Sequence, residues 1–337
     1  MSGASDSASA QHPFASLTPD VVLDAVQALG LAVDGRLMAL SSYENRVYQV
    51  MLEDGTAVVA KFYRPARWSD AQILEEHAFA QDLLDDEVPA VGPLCLQGRS
   101  LHHAHGFAFS VSPYRGGRRP ELDDDEVLEW LGRFIARIHN VGARSAFTHR
   151  PALTPQSFGT DARDWLLSND QVAPSWRSAW QQVCDRALDR VMHAFAACPA
   201  RSVRLHGDCH PGNVLWTPVE RPDGGPHFVD LDDARMGPAV QDLWMLLSGD
   251  RNQRTRQLCV LLDGYEQMRD FDRRELSLIE PLRTLRLIHY SAWLARRRDD
   301  PAFVQSFPWF GSSDYWAEQT HILEEQCEAM AEPPLWV

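Results

Sequence analysis

The sequence predicts an α+β chain, with a small β-rich N-terminal lobe followed by a larger, mostly helical one. Three observations carry that reading. Arg46 to Leu52 and Thr56 to Tyr63 are rich in Val, Tyr and Phe and flank Glu53-Asp54-Gly55, a hairpin signal. Beyond residue 120 the apolar residues recur at helical spacing instead. Between the two lies Pro113-Tyr114-Arg115-Gly116-Gly117, a link made of residues that break helices and strands. The expected division is a flexible tail at 1–12, an N-terminal lobe at 13–115 and a helical lobe at 116–337.

Taken in order, Thr18-Pro19-Asp20 opens a short helix that Gly30 ends. The hairpin comes next. Ser69 and Gln72 form a capping box before the helix Ile73 to Leu84, which stops ahead of Val88-Pro89. His102-His103 and His105 read as a turn, and Phe107 to Ser112 alternates as a strand. Asp123 to His139 places Val127, Leu131, Phe134, Ile135 and Ile138 on one side, with acidic residues at its start to suit the helix dipole. Trp176 to Cys198, Thr255 to Met268, Arg274 to Arg298 and Asp314 to Met330 also read as helices, with Pro281 marking a kink or a first turn. Asn213 to Trp216 and His227 to Asp230 read as two short strands.

Composition excludes several classes. The 337 residues are 45% hydrophobic, enough for a sizeable core. A net charge of −15 argues against binding nucleic acid through its phosphates. No stretch approaches the roughly 18 apolar residues of a membrane span. Six scattered cysteines without a CxxC fit a reducing cytoplasm, and Met1 to Gln11 has neither the basic nor the apolar region of a signal peptide.

The chemistry concentrates in His206-Gly207-Asp208-Cys209-His210-Pro211-Gly212-Asn213, followed by Phe228-Val229-Asp230. In-line phosphoryl transfer needs one carboxylate to orient the acceptor hydroxyl and two oxygen ligands to hold Mg²⁺ on the phosphates. Asp208, Asn213 and Asp230 supply those parts in that order. Asp232 could support the same metal. Lys61 sits in the apolar strand Val58-Val59-Ala60-Lys61-Phe62, where an ammonium is costly unless paired, and in such a site it reaches the α- and β-phosphates of ATP. Glu75 and Glu76 compete to be its partner; Glu76 shares the helix face of Ile73, Ala80 and Leu83 and is preferred. Ser41 to Arg46 stands where a glycine-rich phosphate loop would, so contact there must come from backbone N–H groups and Ser42. His206 is expected to brace its loop and Cys209 to fill space, because Gly207 and Pro211-Gly212 make a helical H-x₃-H zinc site implausible. Asp242 reads as a carboxylate at the start of an apolar helix.

These residues resemble a known family, the stress response kinase A (YihE-like) group within the aminoglycoside phosphotransferase and choline kinase superfamily. The likeness is carried by Ser41-Ser42-Tyr43-Glu44-Asn45-Arg46-Val47-Tyr48, Lys61-Phe62-Tyr63-Arg64-Pro65, Ile73-Leu74-Glu75-Glu76-His77, the 206–213 loop and Phe228 to Arg235. The resemblance implies a bilobal protein-kinase-like fold, ATP as co-substrate, Mg²⁺, and phosphorylation of serine or threonine in proteins, the enzyme itself among the acceptors. It implies Asp208 as catalytic base, Asn213 and Asp230 as Mg²⁺ ligands, Ser42 as an ATP contact, and a cytoplasmic stress-response setting. By analogy with the fold, the backbone from Val111 to Tyr114 should meet adenine. Ordinary protein kinases differ in two places. Gly207 stands where they carry an arginine, and only Leu231 to Gln241 separates Asp230 from Asp242, too short for an activation loop. A small-molecule alcohol or aminoglycoside phosphotransferase is the main rival reading, and a nucleotide-binding module without activity the second.

Overall fold

The structure, a computed structural model, describes residues 13–222 and 224–337, so the expected tail at 1–12 lies outside the described residues. The chain forms two compact units. Among the described residues, those from 13 to 74, with 93–114 and 298–308, make the first; 75–92, 115–297 and 309–337 make the second. The chain passes between them more than once, where the sequence suggests a single change near residue 115.

The first unit is built on an antiparallel sheet. Helix α1 (Pro19–Gln27) is capped by the Thr18 hydroxyl and buries Val22, Ala25 and Val26. Strands β1 (Val33–Leu40), β2 (Arg46–Leu52), β3 (Ala57–Phe62), β4 (His102–Ala104) and β5 (Phe107–Pro113) lie in the order β1-β2-β3-β5-β4. Strand β1 carries no clean alternation because Asp34-Gly35-Arg36 interrupts it, and its register with β2 shifts between Val33 and Leu37. His102 and His103 are strand residues, not a turn, because they pair with Phe109 and Ala108. Phe62 and Phe109 stack at 5.0 Å in a core with Val26, Val50, Val58, Ala60 and Phe107. Truncating Phe62 to alanine would cost about 3–5 kcal/mol. Ser69 and Gln72 form the expected reciprocal hydrogen bonds at the start of α2 (Asp70–Asp85).

The second unit is mostly helical. Helix α3 (Asp125–Gly142) starts at the Asp124 cap, and after α4 (Asp161–Ser168) and α5 (Arg177–Ala197) the chain forms two small antiparallel pairs. Strand β6 (Val203–Leu205) pairs with β9 (Arg235–Gly237), and β7 (Val214–Thr217) pairs with β8 (Gly225–Phe228). Helix α6 (Val240–Trp244) is short and wholly buried; α7 (Arg251–Glu266) packs on α3. That contact is close because Gly132 and Gly264 face it: a Cβ on either would run into the backbone of the other helix. The stretch expected as one helix from Arg274 begins as a 3-10 turn at Arg273–Leu278, and α8 (Ile279–Ala295) carries Pro281 in its first turn. Helix α9 (Pro301–Ser306) belongs to the first unit, and α10 (Ser313–Ala329) returns to the second. Among the described residues no helix is long and apolar enough to cross a membrane.

Candidate active site

The second unit gathers Asp208, Asn213 and Asp230. β6 delivers the chain to His206, and Gly207 then turns it at φ +83°. Only glycine suits that place, since a Cβ would also strike the Asp233 carbonyl. The turn is fixed from behind by Asp242 on α6, which is fully buried. Its Oδ2 accepts the His206 N–H at 2.8 Å and its Oδ1 accepts the Gly207 N–H at 2.9 Å. His139 Nε2 donates to the same Oδ2 at 3.1 Å, since a carboxylate only accepts, and His139 Nδ1 lies 2.9 Å from the Tyr265 hydroxyl. Asp242 is therefore more than the helix-start carboxylate its sequence context suggests. It holds the loop that carries Asp208.

Both oxygens of Asp208 are engaged. Arg286 Nη1, from α8, lies 2.7 Å from Oδ1; Asn213 Nδ2 lies 3.3 Å and His210 Nε2 3.5 Å from Oδ2. His210 Nδ1 accepts from the Gly212 N–H at 2.9 Å, which places the ring proton on Nε2, toward the carboxylate. Burial alone would raise the Asp208 carboxyl, but the His210 hydrogen bond and the Arg286 charge hold it well below the usual carboxylate range. Cys209 is fully buried and its thiol is pushed far up by that burial, which leaves it inert.

The segment Phe228-Val229-Asp230 is tied to the 206–213 loop through the backbone. Val229 N–H donates to the Asn213 carbonyl at 3.0 Å, and His206 Nε2 donates to the Val229 carbonyl at 2.9 Å, so His206 braces both. Asp230 follows in a left-handed conformation, φ 59°, with an exposed side chain; a non-glycine residue there is held by its surroundings. Asn213 Nδ2 donates to the Asp208 carbonyl at 3.0 Å, which leaves Oδ1 as the amide's acceptor. Among the described residues no trio of His, Cys, Asp or Glu is arranged to hold a metal alone. An amide oxygen and one carboxylate are hard oxygen donors that would fit an ion such as Mg²⁺, which takes few ligands from protein.

Arg150 is a residue the sequence does not advertise. Its guanidinium is buried, donates to the Ala234 carbonyl at 2.6 Å and to the Asp232 carbonyl, and lies 3.6 Å from Glu76 Oε2. Glu75, the competing glutamate, accepts the N–H groups of Thr148, His149 and Arg150 at 2.6, 2.8 and 2.9 Å. Glu76 is 6% exposed.

The first unit carries the other expected residues. Lys61 on β3 pairs across the sheet with Val47 and Ser110, and its ammonium stands 5.2 Å over the Tyr63 ring. It is the chain's single lysine; the other 31 of 32 basic residues are arginines. Arginine and lysine are not interchangeable as phosphate ligands. Ser42, half-buried, lies on the loop between β1 and β2. Val111 packs in the core and its carbonyl accepts from Leu94 N–H at 2.7 Å, whereas Tyr114 is 42% exposed.

This architecture, an antiparallel five-stranded unit and a helical unit presenting an anchored Asp…Asn…Asp set, is the α+β arrangement of the aminoglycoside phosphotransferase-like kinases. The chain belongs to the phosphotransferase enzyme family, whose model matches residues 37–279, and is a kinase-type phosphotransferase. It is 44% identical over 322 residues to stress response kinase A of Escherichia coli, covering 96% of each chain. The serine/threonine protein kinase RdoA of Salmonella typhimurium matches equally, 44% over the same share of both. Solved structures with the same fold include an amicoumacin kinase bound to AMP-PNP (TM-score 0.70, 18% identity, 93% of this chain and 94% of that one). A microcompartment-associated aminopropanol kinase gives a TM-score of 0.68 at 18% identity, covering 92% and 98%.

Proposed function

We propose that this protein transfers the γ-phosphoryl group of ATP to serine or threonine hydroxyls of proteins, with Mg²⁺, in a cytoplasmic stress response. The observation that best supports phosphoryl transfer is the anchored Asp208, set beside Asn213 and Asp230 by hydrogen bonds within the loops themselves. In this reading Asp208 orients the acceptor hydroxyl and takes its proton as the bond to phosphorus forms. Asn213 Oδ1 and Asp230 hold Mg²⁺, which when bound offsets the charge of the phosphates. Lys61 and the Ser42 loop bind phosphate oxygens, Glu76 steadies the lysine, and the backbone between Val111 and Tyr114 takes the adenine.

The protein acceptor rests on the names of the relatives and on one feature of the site. Arg286 puts a positive charge against Asp208. An amine-bearing acceptor, such as the aminopropanol in one solved structure's name, would bring a second cation to that carboxylate. The test is radiolabelled ATP and purified protein, with protein acceptors and a panel of small alcohols and amino alcohols in parallel. Label on serine or threonine of proteins, or on the enzyme, is expected. Label confined to a small molecule would overturn the protein-kinase reading while keeping phosphoryl transfer.

A further inference from the structure

The loop 41–46 contains no glycine, and none of its residues adopts the left-handed backbone on which glycine-rich phosphate loops depend. It is shaped from outside. Arg64, two residues beyond β3 and 11% exposed at its side chain, donates through Nε to the Glu44 carbonyl at 3.0 Å. Its Nη2 donates to the Tyr43 carbonyl at 3.3 Å. Its own backbone N–H donates to Asn45 Oδ1 at 3.1 Å, and Asn45 is buried. Three consecutive loop residues are thus fixed by one arginine.

That arginine is itself fixed by a segment 236 residues away. Asp300 Oδ2 accepts from Arg64 Nη2 at 3.0 Å, and Asp300 is 6% exposed. The other oxygen, Oδ1, caps α9 by accepting the Ala302 N–H at 3.0 Å. From the same helix turn, Phe303 packs on Phe307 at 4.8 Å, and the Phe307 ring lies 5.0 Å from that of Tyr43 in the loop. Glu44 Oε1 adds an ion pair to Arg64 at 3.0 Å, and Arg67 Nη1 stands 3.5 Å from Glu44 Oε2. Buried, charge-assisted forks of this kind are the strong class of hydrogen bond and tolerate little displacement.

We propose that Arg64 and Asp300 are positioning residues for phosphate binding: through them the 298–308 segment sets the conformation of the Ser42 loop. The polarity of the clamp agrees with that task. A guanidinium occupies loop carbonyls, so what the loop keeps for a ligand is weighted toward N–H donors and the Ser42 hydroxyl, and these suit an anion. The ligand class is the polyphosphate of a nucleotide. This part rests on the reading of the Ser42 loop as a phosphate contact.

Two measurements separate the clamp from that reading. The first is hydrogen exchange of the peptide spanning 41–46, without nucleotide, in the wild type, Arg64→Lys, Asp300→Asn and Phe307→Ala. Faster exchange at 41–46, with unchanged exchange in α1, is expected for each. Unchanged loop exchange in Asp300→Asn and Phe307→Ala would overturn the clamp. The second is calorimetric titration with Mg·ATP and with adenosine. Arg64→Lys and Asp300→Asn should weaken ATP about tenfold and leave adenosine unchanged. Equal losses for both ligands, or none, would overturn the link to phosphate. A wild type that binds adenosine and ATP equally, with the exchange result intact, would sink the phosphate-loop reading and leave the clamp standing. Should Arg64→Lys not fold, the two strap variants, Asp300→Asn and Phe307→Ala, carry the test from the other side.

Discussion

Two loops in this chain are held still by opposite means. At 41–46 a partly buried guanidinium, Arg64, occupies the carbonyls of Tyr43 and Glu44. At 206–213 a buried carboxylate, Asp242, occupies the amides of His206 and Gly207. A loop whose carbonyls are taken has donors left to offer, which favours an anion. A loop whose amides are taken leaves side-chain acceptors such as the Asp208 carboxylate and Asn213 Oδ1, which in the proposed function meet a hydroxyl and a cation. In both places the clamp carries the charge opposite to that of the ligand proposed for its loop.

The largest expected effect lies at the tip of the second loop. Asp208→Asn should lower turnover about a thousandfold, since the amide cannot accept the hydroxyl proton, while ATP affinity stays within about threefold. Turnover and calorimetry on one preparation decide it; near-normal turnover would remove Asp208 from the chemistry. Next is the clamp itself. Asp242→Asn sets an amide N–H against donors, so about 2–3 kcal/mol of stability should go. Turnover should fall about a hundredfold even where the protein remains folded, because the loop loses its fixed geometry. Denaturant melts beside kinetics check this, and a stable, fully active variant would mean the loop does not need its anchor.

A third prediction sharpens the contrast through pH. Glu275 accepts the Val240 N–H at 2.9 Å, at the start of the helix that carries Asp242. Burial pushes its carboxyl up from 4.5 to about 7. A folded value above the unfolded one means the stabilisation is full below about 4.5 and is lost as pH rises through about 7. The loss should be on the order of 2 kcal/mol, and Glu275→Gln should flatten it. An unchanged slope in that variant would place the titration elsewhere. The smallest effect concerns Arg286. Arg286→Gln removes the cation beside Asp208 and should improve the use of amino alcohols relative to neutral alcohols by a factor of about five. A preference that does not move would separate Arg286 from acceptor choice.

What the sequence discloses is what is local. The Asp208, Asn213 and Asp230 set lies in two short segments, and the Ser69–Gln72 box and the β2–β3 hairpin are each written within a few residues. What it hides is written across the chain. Asp242 has its partners 35 and 36 residues back, so its local context yields only a helix start. Arg286 meets Asp208 across 78 residues, and Arg64 meets Asp300 across 236. No periodicity marks such pairs. His102 and His103 become a strand only because a partner strand follows them, and β1 escapes notice because Asp34-Gly35-Arg36 breaks its alternation. One overlooked signal was available: a chain with 32 basic residues keeps lysine at a single position, Lys61.

That solitary lysine gives the protein an unusual chemical signature. Apart from any α-amine, Lys61 is the one nitrogen that acylating or Schiff-base-forming reagents can modify as an ε-amine. An ε-amine adduct located by peptide mapping therefore reports on one strand position. Acetylation there would erase the only side-chain ammonium of the sequence while leaving its arginines untouched.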